Sequence, residues 1–231
     1  MKDLVAERVA ARGITRVCHF TPSRSLAHIL ANRSGIRPSR ELSEEERQVF
    51  NPTDLKRLDN HTSHICCSIE YPNGWYMAKA QSAESLFPDW VVLFVRPTVL
   101  SLPDTLFCPR NAAAGGGRYL DRGVDGFDAM YPLSGTGAYG KMFRRGATHL
   151  RCSPTDDQAE VLVPLRIPVE DIIGIAVRTA DQGVEERIRL GYCGIDHAGL
   201  NFVVAPDLFQ KHALSRAIRD GVRPKESPLA P

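Results

Sequence analysis

The sequence predicts an α+β fold. Three observations carry that prediction. Short runs rich in β-branched and aromatic residues recur along the chain, capped helical segments stand among them, and irregular glycine-rich loops join the two. Residues 3–12 read as a short helix stopped by Gly13. Residues 15–20, TRVCHF, read as a strand. Thr21 and Pro22 then set a capping hydroxyl before a proline at the first helical position. Leu26, Ile29 and Leu30 give the following helix an apolar face at i, i+3 and i+4, and Gly35 ends it. Ser43 and Glu46 form a capping box for a helix to about residue 50. Asn51-Pro52 breaks that helix, and Thr53 is placed to cap another short one. Runs at 64–70, 91–95, 158–163, 172–177 and 202–205 read as strands. Helices at 181–190 and 206–218 close the chain, and the proline-containing tail from 224 to 231 is expected to be loose. No internal repeat or linker divides the sequence, so residues 1–231 are read as one domain.

Composition bounds the function. The 231 residues are 43% hydrophobic and 24% charged, with 29 Lys and Arg against 27 Asp and Glu, a formal charge of +2. This excludes a disordered polyelectrolyte. No stretch approaches the roughly 18 uninterrupted apolar residues of a membrane span. The first residues, MKDLVAERVAARG, carry charges inside their apolar run, unlike a signal peptide. A chain of this length buries roughly 70% of its unfolded surface and needs no staples. The six cysteines, none in a C-x-x-C pair, are therefore read as reduced thiols of a cytoplasmic protein, with no metal expected. The total charge argues against an indiscriminate nucleic-acid binder, but its distribution is uneven. Residues 110–151 hold many glycines and seven basic residues (Arg110, Arg118, Arg122, Lys141, Arg144, Arg145, Arg151) against three aspartates, a local charge of +4. A long stretch without periodic apolar positions is either functional or a solvated variable loop.

The common nucleotide and hydrolase motifs are missing. GTGAYG at 135–140 matches G-x-G-x-x-G, but MYPLS before it is no buried strand and KMFRRG after it meets a glycine within one turn and a half. No P-loop, G-x-S-x-G, H-E-x-x-H or zinc-deaminase pattern occurs. More informative is QAEVLV at 158–163. Alternation along a strand sends Gln158 and Glu160 to one face and Ala159, Val161 and Val163 to the other, so two polar groups point together from a strand end. An ordinary exposed strand edge would look the same. His19 stands near the end of its strand, where a structural histidine is the plainer alternative. SIEYPNGWYM at 68–77 clusters aromatics around a turn, as core or as a platform for a flat ring.

A histidine strand, a serine strand followed by aromatics and a Q-x-E strand, in that order, resemble the ADP-ribosyltransferase fold. The chain is similar in particular to the DarT family of DNA ADP-ribosyltransferase toxins. The pieces are HFT (19–21) leading into SLAHIL, RLDN (57–60), SIEYPN (68–73), DWVVLFV (89–95), LFCPRNAAAGG (106–116) and QAEVLVPLRIPVEDI (158–172). Together they cover roughly residues 15–178.

The resemblance implies two small, mainly antiparallel sheets that form an NAD⁺ cleft among surrounding helices. It implies a cytoplasmic toxin with a macrodomain antitoxin as partner. The activity implied is a glycosyl-type transfer of ADP-ribose from NAD⁺ to a base in single-stranded DNA. Glu160 would be the catalytic carboxylate, stabilising positive charge on the ribose. His19, Phe20 and Thr21 would anchor the NAD⁺ and Ile36 would line the pocket. Ser68 would support Glu160, and Tyr71 or Tyr76 would stack on nicotinamide. Gln158 would meet the acceptor base, with Lys141, Arg144 and Arg145 holding phosphates. Arg57, with Arg47 as runner-up, would contact the NAD⁺ phosphates or assist proton movement. The SIEYPN and NAAAGG pieces are closer to the guanine branch than to the thymine branch. An RNA or protein acceptor, or a non-catalytic nucleic-acid-binding module, are the alternatives.

Overall fold

In the computed structural model, the residues described are 3–50, 58–83, 88–137, 140 and 142–230, without the side chains of 48–50. Helix α1 (Leu4–Arg12) begins where the Asp3 carboxylate accepts the Ala6 N–H at 3.0 Å, and it buries Val5 and Val9. Strand β1 (Val17–Pro22) runs two residues further than its sequence pattern suggests. All six of its residues pair with β3 (Trp90–Val95), and this ladder draws Thr21 and Pro22 into the strand rather than into a helix cap. Helix α2 (Arg24–Leu30) starts after Ser23, whose N–H donates to the Asp89 carbonyl at 2.9 Å. The α-helical hydrogen bonding stops at Leu30, and a kinked 3-10 turn leads from it to Gly35.

The capping box forms as expected. Glu46 N–H donates to Ser43 Oγ at 3.2 Å and the Glu46 carboxylate accepts the Ser43 N–H at 2.8 Å, opening α3 (Glu44–Phe50). The expected break at Asn51-Pro52 and the cap at Thr53 lie outside the described residues. Strand β2 (His64–Ile69) then leads into a helix where the sequence suggested only a turn, α4 (Gly74–Ala83). Asn73 is its cap: the side-chain oxygen accepts the Tyr76 N–H at 3.0 Å.

The glycine-rich stretch is not structureless. It contains β5 (Asp121–Arg122), which pairs with β4 (Leu106–Cys108), helix α5 (Gly123–Asp128), and a hairpin of β6 (Ser134–Thr136) and β7 (Met142–Arg144). Isolated large side chains anchor it. Phe127 is fully buried, edge-on to Phe107 at 5.5 Å and tilted against Tyr131 at 5.3 Å. The chain continues through β8 (Glu160–Pro164), β9 (Ile172–Val177), α6 (Ala180–Tyr192), β10 (Phe202–Val204) and α7 (Lys211–Asp220). The tail is also ordered, against expectation. Strand β11 (Ser227–Pro228) pairs with β10, Leu229 is buried, and Arg223 and Glu226 bond to buried Glu70 and Arg16. None of the described helices is long and apolar enough to cross a membrane.

Nine strands form one sheet in the order β11-β10-β9-β3-β1-β2-β8-β4-β5, antiparallel except between β9 and β10. It behaves as two halves. Strand β1 is committed to β3 by six pairs and β2 to β8 by four, but β1 and β2 share only Val17–Ile69 and Cys18–Ser68. Past those two pairs the halves separate and a wedge opens. The wedge is closed at its side by reciprocal 2.9 Å backbone bonds between Ile36 and Ile167. Gly35 permits that approach. Its φ is +71°, and a Cβ there would sit 2.2 Å from the Ile167 carbonyl oxygen. Gly35→Ala is expected to lower unfolding free energy by at least about 1–2 kcal/mol from the backbone conformation alone. Urea denaturation measures it, and an unchanged midpoint would contradict this account of the wedge wall.

Candidate active site

The wedge is a cleft of about 1030 Å³, counting its open mouth, between residues 18–22 of β1 and 64–68 of β2. Its apex is held by a side chain in place of the missing ladder. His19 Nδ1 lies 2.9 Å from the Cys66 carbonyl oxygen. A carbonyl can only accept, so Nδ1 carries the proton and Nε2 is left as an acceptor in the cleft wall. Burial holds the His19 pKa below its ordinary value, partly opposed by the bond to Cys66, so the ring is neutral near pH 7.

Glu160, the first residue of β8, lies in the cleft and is 7% exposed. Its neighbours on the sheet pair Cys108 with Glu160 and Cys67 with Val161, which sets the carboxylate between β2 and β4. Three donors from the described residues meet it. Asn111 Nδ2 donates to Oε1 at 2.8 Å, Asn73 Nδ2 to the same oxygen at 3.2 Å, and the Ala112 N–H to Oε2 at 2.9 Å. These bonds compensate the carboxylate for water lost on burial and fix its orientation. Each asparagine is itself oriented by its other end. The Asn73 oxygen caps α4, and the Asn111 oxygen accepts the Ala114 N–H at 3.2 Å, capping a 3-10 turn over Ala112–Gly115. With the oxygen of each amide so used, its NH₂ group is the one that faces Glu160.

Other expected residues fall on both sides of the ledger. Phe20, Thr21, Ile36, Ser68 and Tyr76 line the cleft with His19 and Glu160. Phe20 and Tyr76 meet edge to face at 5.9 Å, giving the wall an aromatic corner. Ser68 supports Glu160 only at one remove, since its Oγ accepts the Asn73 N–H at 3.1 Å. Tyr71 does not line the cleft. It is buried outside it, with the Arg16 guanidinium 5.5 Å from its ring, because α4 begins between Tyr71 and Tyr76 and turns them to different places.

Gln158 does not share a strand face with Glu160. An Asx turn precedes β8: the Asp156 carboxylate accepts the Gln158 N–H at 2.9 Å, and the Asp156 carbonyl accepts that of Ala159 at 3.0 Å. Gln158 is thus half-buried at the turn before the strand. Arg145 is used within the fold. Its guanidinium donates to the Ser153 and Leu150 carbonyls at 2.9 and 2.8 Å. Arg144 is exposed on β7. Arg47 is exposed and bonds the Ser39 carbonyl at 3.2 Å. Arg57 and Lys141 lie outside the described residues.

Four cleft groups escape the sequence argument. Two are Asn73 and Asn111, whose bonds to Glu160 span 87 and 49 residues of sequence. The third is Arg37, a half-buried guanidinium of the wall that pairs with Glu46. The fourth is Ser25, a wall residue on α2 whose buried Oγ has no hydrogen-bond partner among the described residues. Asn73 and Asn111 each left a local signal, an asparagine immediately before a helical turn, but nothing local ties either to Glu160.

A split sheet with a buried carboxylate at the wedge and a neutral histidine in the same cleft is the arrangement that the resemblance to ADP-ribosyltransferases implies. The chain belongs to the DarT family: the family's sequence model, described as "ssDNA thymidine ADP-ribosyltransferase, DarT", matches residues 18–207. Among solved structures, the fold is similar to Thermus sp. 2.9 DarT in complex with NAD⁺, at a TM-score of 0.52 and 15% identity over 84% of this chain and 97% of that one. The same Thermus protein in complex with ADP-ribosylated ssDNA gives 0.55 and 13% over 85% and 97%. Thermosipho africanus DarTG in complex with ADP-ribose gives 0.55 and 14% over 84% of this chain, which spans only 51% of the Thermosipho chain. At these identities the likeness is one of fold. No curated protein sequence matches the chain.

His19 generates a pH prediction. Its pKa is depressed in the folded protein. As pH falls through about 6.5, the unfolded chain therefore takes up the proton first, and stability present above that pH is lost below it. Melting curves between about pH 7.5 and 5 should fall more steeply for the native chain than for His19→Asn, whose amide still bonds Cys66 but does not titrate in that range. Parallel curves would contradict a neutral, buried His19.

Proposed function

We propose that the chain transfers ADP-ribose from NAD⁺ to a base of single-stranded DNA, as a toxin whose partner is a macrodomain antitoxin. The observation that carries this reading is the Glu160 carboxylate, fixed in an open cleft by three donors. The family description names the acceptor class. The NAD⁺, ADP-ribosylated DNA and DarTG complexes of the related structures support co-substrate, acceptor and partner.

The residues present fit NAD⁺. The aromatic corner of Phe20 and Tyr76 suits the nicotinamide ring. His19 Nε2 accepts from a ribose hydroxyl, the Thr21 and Ser25 hydroxyls offer further bonds, and Arg37 carries positive charge for the pyrophosphate. Glu160 stands by the nicotinamide ribose. As the C1′–N bond breaks, nicotinamide leaves with the bonding pair and positive charge spreads over C1′ and the ring oxygen. A carboxylate already oriented stabilises that charge without reorganising. A base nitrogen then gives its electron pair to C1′ and its proton passes to solvent, leaving Glu160 unchanged. Single-stranded DNA avoids the unstacking cost of a duplex. Gln158, two residues before Glu160, is the acceptor-side amide, and Arg144 on the exposed hairpin meets phosphate. Arg57 is assigned to the NAD⁺ phosphates or proton movement from the sequence register, and Lys141 to DNA phosphate from the basic stretch at 110–151.

For the base, the family description names thymidine, whereas SIEYPN and NAAAGG lean to guanine. Incubation with NAD⁺ and single-stranded oligonucleotides that each contain one candidate base decides it by mass. The expected result is addition of one ADP-ribosyl group with release of nicotinamide. Addition to RNA or protein and to no DNA would establish the alternative transferase, and no nicotinamide release would leave a binding module. Glu160→Gln should lower kcat about 100-fold or more while DNA binding persists. Equal activity would remove Glu160 from the catalytic role. Asn111→Ala should lower kcat about 10- to 100-fold with little change in KM for NAD⁺, the signature of a positioning residue. A rise in KM with kcat intact would show that Asn111 serves binding instead.

A further inference from the structure

Helix α7 lies outside the part of the chain matched by the family model, which ends at residue 207. It is strongly two-faced. Leu214 and Ile218 are buried against the body, while Lys211, His212, Arg216 and Arg219 lie away from them, the last three exposed. Beside this basic face stands Trp75, on the first turn of α4. His212 meets its indole edge to face at 5.1 Å, and Lys211 Nζ is 5.1 Å from its ring centroid. Trp75, His212, Ser215, Arg216, Arg219 and Asp220 border an open groove.

The groove is joined to the catalytic strand. Ser215 Oγ and Arg219 Nη2 both bond Asp157 Oδ2, the arginine at 3.1 Å, and Asp157 is three residues before Glu160. Between groove and cleft lies a small cavity lined in part by Trp75, Lys211, Asp156 and Ala159, and it shares Ser68 with the cleft. One helix end serves all three places: Asn73 holds Glu160, Trp75 borders the groove and Tyr76 lines the cleft. The negative charges nearby do not cancel the basic face. Asp157 and Arg219 pair with each other, and Asp220, which borders the groove at the end of α7, leaves Lys211 and Arg216 in excess.

We propose that this groove is a second binding site for the single-stranded nucleic-acid substrate, holding nucleotides that flank the reactive base. It rests on the reading of the cleft as a DNA ADP-ribosyltransferase site. Lys211 and Arg216 meet phosphates, and the Trp75 indole meets a base. Cations beside an aromatic ring, continuous with the acceptor side of the catalytic carboxylate, fit a strand of phosphates and flat bases better than an acidic protein surface.

The test compares a short oligonucleotide of about 5 nucleotides with one of about 16 that contains the same target, for the native chain and Lys211→Ala/Arg216→Ala. The native chain is expected to have a KM about 10-fold lower for the long oligonucleotide, an advantage the double variant loses with kcat unchanged. Its salt dependence on the long substrate should become shallower by about 1.4, two phosphate contacts' worth for a single strand. The short substrate should react equally with both proteins. A variant that keeps the length advantage and the salt slope would overturn the proposal. So would equal loss on both substrates with a lowered melting temperature, which would make α7 a folding element, or gain of an acidic protein ligand with no length effect. If the native chain modifies neither oligonucleotide, the DNA reading itself fails and the groove proposal falls with it.

Discussion

The Glu160 carboxylate ties together three stretches of chain that are far apart in sequence. Its hydrogen bonds reach Asn73 before α4, Asn111 after β4 and the N–H of Ala112. A carboxylate withdrawn from water is costly unless it is bonded, so these contacts are a condition of the fold as much as of the proposed chemistry. The two asparagines work in the same way. Each uses its oxygen to start a helical turn and its NH₂ group to hold Glu160, so secondary structure and active-site geometry are set by the same side chains. An aspartate at either position would keep a cap and put a second acceptor against the carboxylate.

The second constraint is the unequal sharing of strand edges. Strands β1 and β2 are each paired along most of their length to an outer partner and to one another at only two positions. That leaves a cleft inside what is formally one sheet. His19 closes the apex with a single bond to Cys66, and the same bond selects its tautomer. The Ile36–Ile167 bridge closes the side, where only glycine fits at position 35. The opening is thus built by pairing that stops, and its walls are β1, β2 and the turn after α2.

Much of this was legible in sequence, and the exceptions have physical causes. Fully buried strands such as β3 and β9 show as β-branched runs, and the Ser43–Glu46 box names its own helix. Thr21 and Pro22 read as a helix start because cap chemistry is local, whereas the six-pair ladder that claims them comes from residues about 70 positions away. Tyr-Pro-Asn-Gly reads as a turn, yet Asn73 is a cap, and the helix behind it separates Tyr71 from Tyr76. Residues 110–151 show no periodicity because a few large residues, Phe127 above all, do the anchoring. The excess of basic residues there also overstated free charge. Arg145 bonds backbone carbonyls, Arg151 bonds the Ala11 carbonyl and Arg122 pairs with Asp104. The strand that carries Glu160 is legible in sequence, but what holds the carboxylate is not, since no local pattern encodes a bond across 49 or 87 residues.

The account therefore places the reactive ribose at one point, against Glu160 in the wedge between β1 and β2. A crystal structure of the chain with a non-hydrolysable NAD⁺ analogue tests this most directly. The account predicts a hydroxyl of the nicotinamide ribose about 2.6–3.2 Å from a Glu160 carboxylate oxygen, with the nicotinamide ring at Phe20 and Tyr76. A dinucleotide bound outside the wedge, or one whose nicotinamide ribose lies beyond hydrogen-bond reach of Glu160, would contradict it.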